Sequence, residues 1–544
     1  MSKSNQSNQS NQSNQSNQSN QSEPSERSEQ PGRSEHSARS KGPGAEKPAE
    51  PRRTRNPTVA LALIVSCEFM LQLDTTIMNV ALPTIQTSLD FGRAGLSWVI
   101  NAFLLAFGGL LLLGGRAGDI LGHRRIFLAG TALFTLASAL GGLAPTDETL
   151  IASRALQGVG AALAAPTGIA LLTTGFREGA ERNRAFAIYS TIAGSGLALG
   201  LVLGGILTSG LSWRWVLFIN VPFGALVILL APRFIDETRR QQGRFDIAGA
   251  LTSTVGMTAL VYGFIRVSED HWSDPVALAA FAIGVILMIA FVAIERNANQ
   301  PIMPLRLFTR RGRAGGYINL LFIAATLTSM WFFLVQFLQG VLGYEPLLTG
   351  LAFLPMAIAV FASSRLAPKI LPKSGTKPVA VAGIALVAAA TSWLTQLTPT
   401  SGYAGNVLGP LVLFGLGAGF ALVSHNLIVM SEAAPEESGA ASGVLQAMLT
   451  VGGSLGLAIL VTVSGTFVRS AEEDPPGGLS ATEEAHHVLT EGVTGAFAGG
   501  SVFAVCALLI ALFVLKTDRA RSPEPVTDGL DSPPGTPASS RSAE

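Results

Sequence analysis

The sequence predicts an all-α integral membrane protein with fourteen transmembrane helices. Three observations support this fold class. First, the 544 residues are 48% hydrophobic and only 13% charged, with a mean hydropathy of +0.42. A soluble protein of this size carries about a quarter charged residues. Second, apolar runs long enough to cross a bilayer recur along the chain. Third, the basic residues between these runs fall mostly on one side.

Each predicted span is a stretch of about 20 apolar residues, which is the length that a helix needs to cross the bilayer core. The spans are residues 58–82, 95–115, 126–144, 149–172, 185–209, 213–231, 246–266, 275–294, 315–339, 347–366, 378–397, 405–430, 438–464 and 493–516.

Loop charges support this count of spans. With the N-terminus in the cytoplasm, most of the arginine and lysine residues between spans lie inside, as the positive-inside rule requires. The outer segments hold only Arg93, Arg214, Arg266 and Arg469. An odd number of spans would place the basic group that starts at Lys516 outside. We therefore expect both termini in the cytoplasm. One inner turn departs from the rule, because it holds Glu432, Glu436 and Glu437 and no basic residue.

Both ends of the chain are polar. Residues 4–21 are six copies of Ser-Asn-Gln, and no apolar stretch typical of a cleavable signal peptide lies near Met1. We predict that residues 1–56 and 517–544 are disordered cytoplasmic tails.

The two cysteines, Cys67 and Cys506, lie in apolar runs, so no disulfide framework or cysteine metal site is expected. Abundant Arg, Ala and Gly suggest a bacterium with a high-GC genome.

Short glycine-rich sequences recur along the chain. GVGA at 158–161 matches GLGA at 415–418, an offset of 257 residues, and GSGLALG from Gly194 matches GGSLGLA from Gly452. Two six-helix halves related by a parallel repeat would produce this pattern. The predicted domains are an N-terminal bundle at 57–232, two inserted helices with their loops at 233–313, and a C-terminal bundle at 314–516.

The first span contains two acidic residues, Glu68 and Asp74. A carboxylate at the bilayer centre costs about 2.5–3.5 kcal/mol on insertion scales, so it needs a partner, water or a function. Asp74 lies about 12 Å from the outer end of its span and Arg154 about 8 Å from the outer end of the fourth, so their depths are similar. The pair would couple transport to protons or, alternatively, would fix helix packing as a static ion pair.

A polar stripe surrounds Glu68, which lies about 120° around the helix from Asp74. The stripe would line the path of a substrate, with Glu68 attracting cationic compounds. Alternatively, its amides and hydroxyls hydrogen-bond neighbouring helices. The stripe residues other than Glu68 are Gln72, Thr75, Thr76 and Asn79.

The fifth span carries a face of small residues suited to tight helix contact. This face consists of Gly196, Gly200, Gly204 and Gly205. Its glycines do not form a dinucleotide fingerprint, since no strand precedes them. The chain contains no G-x-x-x-x-G-K-[ST] motif either, so we do not expect ATP-driven pumping by this chain alone. His425 is either a second titrating site or a packed histidine.

Four stretches resemble signature motifs of the major facilitator superfamily, in its fourteen-helix branch of drug–proton antiporters, the multidrug and antibiotic exporters of the quaternary-ammonium-compound resistance type. The resemblance covers residues 58–516. The stretches are LDTTIMNVALP in the first span, GRAGDILGHRR at 115–125, RALQGVGAAL at 154–163 and WRWVLFINVPFG at 213–224.

The sequence departs from the family pattern at two places. In the loop motif, Ala117 and Ile120 replace the usual Leu and Arg, and His123 replaces a basic residue. In the fifth span, Leu201 follows Gly200 where antiporters usually carry proline, so the direction of transport stays open.

The resemblance implies a major facilitator fold with spans one and four around a central cavity. It assigns the motif arginine, Arg154, to proton coupling, and we expect Asp74 and Glu68 to take part in it. It also implies that a loop group links the two halves on the cytoplasmic side and controls their rocking; otherwise that group is an ordinary basic loop with a tight turn. The loop residues are Gly115, Asp119, Gly122, Arg124 and Arg125.

We therefore expect a secondary transporter, not an enzyme, that exports amphipathic drugs or antibiotics across the cytoplasmic membrane in exchange for protons. We expect no cofactor, no metal and no nucleic-acid partner, and a monomer in the bilayer. Two alternatives remain: a proton-coupled importer or symporter of a small metabolite, and a receptor or scaffold that transports nothing.

Overall fold

A computed structural model describes residues 56–92, 94–238, 240, 242–269, 271–298, 300–431 and 438–515. Within these ranges the secondary structure is helical, and no strand occurs. The predicted all-α membrane fold is confirmed. The two predicted tails lie outside the described residues, apart from Asn56. Arg93 and the acidic turn that begins at Glu432 lie outside them too.

Within the described ranges, fourteen long helices account for the fourteen predicted spans. Thirteen are long and apolar enough to cross a membrane, and α5 is the fourteenth when its two segments, bent by 41°, are taken as one span. The helices are α1 (Pro57–Leu89), α2 (Trp98–Leu121), α3 (His123–Gly142), α4 (Asp147–Gly175), α5 (Ala180–Gly210), α6 (Trp215–Phe234), α7 (Ile247–Glu269), α8 (Pro275–Asn297), α9 (Arg311–Gly340), α10 (Pro346–Ser374), α11 (Thr376–Leu394), α12 (Leu408–Ser431), α13 (Ser438–Glu473) and α14 (Ala481–Phe513).

Local sequence sets several helix ends. Pro57 starts α1, where its missing N–H costs nothing, and Asp90 ends it in the left-handed conformation at φ 54°. A capping box of Ser480 and Glu483 starts α14 well before residue 493, where hydropathy placed its beginning. Hydropathy finds only the part of a helix that crosses the membrane, so it misses polar turns that extend beyond it.

Helix packing repeats along the chain. In the first six helices, α1 packs on α5 and α6, and α4 packs on α1, α2 and α3; the equivalent pairs recur among α9 to α14. The two sets meet through α2 with α13 and through α5 with α10. Helix α7 packs against α2 and α13, and α8 packs against α7. This pattern supports the predicted domain boundaries, which remain a prediction.

The two sets of helices touch closely where α5 ends and α10 begins. A Cβ on Gly205 would lie 2.5 Å from the Leu347 Cα, and the Leu347 amide donates to the Ser209 hydroxyl over 3.2 Å. At the same end, the Gln339 side chain of α9 donates to the Val80 carbonyl of α1 over 2.9 Å. These contacts join the two sets of helices at the end where α5 meets α10.

Candidate functional site

Asp74 and Arg154 form a direct ion pair inside the first six helices. The Arg154 Nη1 lies 2.6 Å from the Asp74 Oδ2. Asp74 is 0% exposed and Arg154 is 1% exposed. The sequence predicted a pair at similar depth, either direct or through water, and the structure places the two side chains in direct contact.

Three donors surround the Asp74 carboxylate. Besides Arg154, the Gln157 amide donates to Oδ1 over 3.1 Å and the Asn220 amide donates to the same oxygen over 2.8 Å. The Ser138 hydroxyl accepts a further hydrogen bond from Gln157 over 2.7 Å. Helices α1, α3, α4 and α6 therefore meet at one buried polar network.

Arg154 also contacts α2. Its Nε donates to the Val99 carbonyl over 3.0 Å, and its guanidinium lies 4.7 Å from the centre of the Phe103 ring. A cation over an aromatic face is attracted by the ring quadrupole. Asn101, in the same helix, accepts a 2.9 Å hydrogen bond from Ser454 of α13. Helix α2 thus contacts both the ion pair and the second half of the chain.

The sequence analysis missed three members of this network. Gln157 lies in the motif that supplied Arg154, one turn further along α4, so its spacing could have identified it. Asn220 lies in the WRWVLFINVPFG stretch, which was used only for the resemblance. Ser138 lies in an apolar helix, and nothing in the sequence distinguishes it from other serines.

Glu68 lies in a separate cluster between α1 and α5. Its Oε1 accepts from the Gln72 amide over 2.8 Å, and its Oε2 accepts from the Tyr189 hydroxyl over 2.7 Å. Glu68 is 7% exposed, whereas Gln72 and Tyr189 are partly exposed. Tyr189 was not predicted, because it belongs to a helix more than a hundred residues away.

The other stripe residues are partly exposed, while the residues between them on α1 are buried. Thr75 and Asn79 bond to carbonyls of their own helix. Thr76 also reaches the Gly196 carbonyl of α5 over 3.3 Å. The alternative of helix–helix hydrogen bonding therefore applies to Thr76, and Thr75 and Asn79 remain candidates for the substrate path.

The glycine face of α5 lies on this stretch of α1. A Cβ on Gly196 would lie 2.8 Å from the Gln72 Cβ, and one on Gly204 would lie 2.9 Å from the Ile77 Cγ1. A Cβ on Gly200 would overlap the Thr76 hydroxyl. Gly205 contacts α10 instead.

The loop between α2 and α3 contacts the segment after α6. Glu237 accepts from the Arg124 amide over 3.1 Å, and its Oε2 lies 3.6 Å from the Arg125 Nε. Gly122, at φ 105°, brings the turn close to Glu237. Asp119 lies 3.3 Å from the His123 Nε2. Gly115, the remaining member of the predicted group, lies beside the Pro166 ring of α4.

A family model described as Major Facilitator Superfamily matches residues 64–457, which include the ion pair, the stripe and the loop group. The chain belongs to the major facilitator superfamily. This membership makes it a multi-pass membrane transporter, as its sequence predicted.

Several members of the superfamily are similar over most of this chain. The cephamycin export protein of Amycolatopsis lactamdurans is 41% identical, over 78% of this chain and 88% of its own length. The puromycin resistance protein of Streptomyces alboniger is 40% identical, over 74% and 81%. The tetracenomycin C resistance and export protein of Streptomyces glaucescens is 30% identical, over 88% and 96%.

Solved structures share the fold of this superfamily member. A bacterial homologue of the human lysosomal transporter Spinster, in an inward-facing and unoccupied conformation, matches with a TM-score of 0.59 and 17% identity, covering 84% of this chain and 96% of that one. The POT family transporter PepTSo matches with a TM-score of 0.57 and 15% identity, covering 83% and 98%. At these identities the match shows the fold alone.

His425 of this transporter is fully buried in α12. Its Nδ1 lies 2.7 Å from the Ala421 carbonyl, which fixes that nitrogen as the donor, and its Nε2 has no partner among the described residues. The two interpretations of His425 both remain predictions.

Among the described residues, no group of three or more His, Cys, Asp or Glu could hold a metal.

Proposed function

We propose that this transporter exports amphipathic drugs or antibiotics across the cytoplasmic membrane in exchange for protons. The observation that carries the proposal is the enclosed Asp74–Arg154 pair in the helix that also bears the polar stripe. The names of its relatives, which include a cephamycin export protein and a tetracenomycin C resistance and export protein, support an antibiotic-like cargo.

The orientation follows from the loop charges. With both termini in the cytoplasm, the end where α5 meets α10 is the outer end. The contacts of Gly205 with Leu347 then close the cavity toward the outside. In this conformation a drug would enter from the cytoplasm, which is the loading state of an exporter.

Asp74 is the proton carrier in this scheme. In the present conformation all its hydrogen-bond partners are donors, so the carboxylate is ionised and its charge is balanced by Arg154. When the outer end opens, a proton from outside neutralises Asp74 and releases Arg154. Return to the present conformation re-forms the ion pair and delivers the proton to the cytoplasm. Each charge that moves down the membrane potential contributes about 2.3 kcal/mol per 100 mV.

Glu68 has a different part in this scheme, because it borders the partly exposed stripe. Its two donors, Gln72 and Tyr189, hold the carboxylate on the same face of α1 as Thr75 and Asn79. We assign it to the attraction of the cationic group of a substrate, with the rest of the molecule bound by apolar and hydroxyl surfaces. Charge of the cargo, a monomeric state and the absence of a cofactor are parts of the same proposal.

The test compares proton-driven drug transport by wild type, Asp74→Asn and Asp90→Asn. Asp90 is an exposed residue at the end of the same helix, and Asn tolerates its left-handed conformation, so it is a matched control. In inside-out vesicles, wild type and Asp90→Asn should accumulate drug when a proton gradient is imposed, and Asp74→Asn should not. Equal accumulation by all three would remove Asp74 from the mechanism, and uptake by intact cells would favour an importer.

A further inference from the structure

Two carboxylates meet at the base of the inserted helices, outside the site described above. Asp246 directly precedes α7, and Glu295 lies in the last turn of α8. The Asp246 Oδ1 accepts from the Gly249 amide over 2.9 Å, and the Glu295 Oε2 accepts from the Met303 amide over 3.2 Å. Each side chain therefore has one oxygen satisfied by backbone.

The second oxygen of each side chain is buried without a donor. Among the described residues, nothing hydrogen-bonds to the Asp246 Oδ2 or to the Glu295 Oε1. Glu295 as a whole is only 3% exposed. The two oxygens also converge, because they lie 2.8 Å and 3.0 Å from the point that a Cβ on Gly249 would occupy.

Like charges in a buried site disfavour double ionisation, and a single proton between them removes both the repulsion and the two unmet acceptors. A metal ion is a weaker explanation, because no described group of three or more His, Cys, Asp or Glu surrounds the point. We propose that Asp246 and Glu295 share one proton, which joins the start of α7 to the end of α8.

Asp246, but not Glu295, lines a cavity of about 650 Å³, together with residues 242–245, Ala298 and Gln300. In the orientation proposed above, the cavity opens to the cytoplasm. Charged groups on the surrounding segments include Arg116, Asp119, Arg244, Arg296 and Arg306. Arg116 donates to Gln300 and lies 3.8 Å from Asp119, and the side chains of Arg244 and Arg296 are exposed.

The proton also affects a segment that touches the α2–α3 loop. Met303 is held by Glu295, and Gln300, three residues earlier, accepts from Arg116. Loss of the shared proton at high cytoplasmic pH would separate the two carboxylates and loosen this segment. The structure thus contains a second proton site that responds to the cytoplasm and not to the cargo.

The first experiment is infrared spectroscopy of the purified full-length protein in lipid nanodiscs over a pH series. Wild type should show a protonated carboxyl band that disappears as pH rises. The band should be missing in Glu295→Gln and in Asp246→Asn, and present in Asp236→Asn, which removes an exposed carboxylate near the same segment. An unchanged band in either of the first two variants would overturn the proposal.

A second measurement covers the case in which a variant is poorly folded. A glutamine at 295 can donate to Asp246 as the protonated acid does, so Glu295→Gln should fold and should not respond to pH. In wild type the folded state holds the extra proton, so the unfolding temperature should fall as pH rises. A shift of the wild-type temperature on addition of EDTA or Mg²⁺ would show a metal instead. Neither the infrared band nor the unfolding temperature requires a transported drug. A negative result here would therefore overturn the shared proton and leave the proposed function untouched.

Discussion

Replacing Asp74 and Arg154 singly and together would separate a proton carrier from a static ion pair. In Asp74→Asn, one oxygen that now lies 2.6 Å from the Arg154 Nη1 becomes an amide nitrogen, or the flipped amide presents its nitrogen to Gln157 and Asn220. Either orientation points a donor at a donor. Arg154 also stays charged in a site where it is 1% exposed.

The size of the effect follows from burial. Removing one partner of a buried pair typically costs about 3–5 kcal/mol, because the other charge is left uncompensated. We therefore expect Asp74→Asn and Arg154→Gln each to lower the free energy of unfolding by roughly this amount. The double variant Asp74→Asn with Arg154→Gln has no buried charge, so most of the loss should be recovered.

In the double variant, the free energy of unfolding should therefore recover while proton-driven transport does not. The free energy of unfolding is measured by denaturant titration in detergent micelles, and efflux is measured in proteoliposomes with an imposed pH gradient. If Asp74 carries the proton, the double variant regains stability and remains inactive. If the double variant regains proton-driven efflux as well, the pair is structural and the coupling scheme is wrong.

Three further predictions concern the Glu68 cluster, the contact of α5 with α1, and the α2–α3 loop. Tyr189→Phe removes one of the two donors to Glu68 and should raise the KM for cationic drugs about tenfold, equivalent to ~1.4 kcal/mol, with little change for neutral ones. Gly200→Ala should lower the free energy of unfolding by about 1–3 kcal/mol, because the methyl group overlaps α1. Glu237→Gln should change that free energy by less than about 1 kcal/mol, since its ion pairs are partly exposed, yet should speed trypsin cleavage in the α2–α3 loop.

Each of these predictions has a matched control. Tyr403→Phe also removes a 2.7 Å hydroxyl hydrogen bond, to the Ala352 carbonyl, and should not affect cationic drugs selectively. Gly194→Ala places a methyl group in open space on the same helix and should be neutral or slightly stabilising. Asp236→Asn should leave trypsin cleavage unchanged. A control that behaved like its partner variant would contradict the corresponding prediction.

The sequence predicted the helices and the ion pair well, for a physical reason. Hydrophobic length and the sidedness of arginine depend only on the bilayer, so the spans could be counted without tertiary information. Asp74 and Arg154 could be paired because depth along a helix follows from the rise per residue. Depth says nothing about rotation or about neighbours, and this limit explains what was missed.

The missed residues come from tertiary packing. Asn220 and Ser138 complete the network from helices far away in the sequence, and their types are ordinary in transmembrane helices. Tyr189 reaches Glu68 only because the glycine face brings α5 against α1. The position of Asp74 away from the stripe followed from helix geometry, but the donors that enclose it depend on how four helices meet.

Helix α5 contacts both the helix that carries this enclosed acid and α10 of the second set of helices. One side of α5 packs through Gly200 and Gly204 on the part of α1 that follows Asp74, and Gly205 packs on Leu347 of α10. These glycines leave no side chain between the backbones, so α5 cannot shift against α10 without moving relative to α1. Under the proposed scheme, separating α5 from α10 would therefore disturb the helix that carries Asp74. This coupling would make the separation of α5 from α10 the step that exposes Asp74 to a proton.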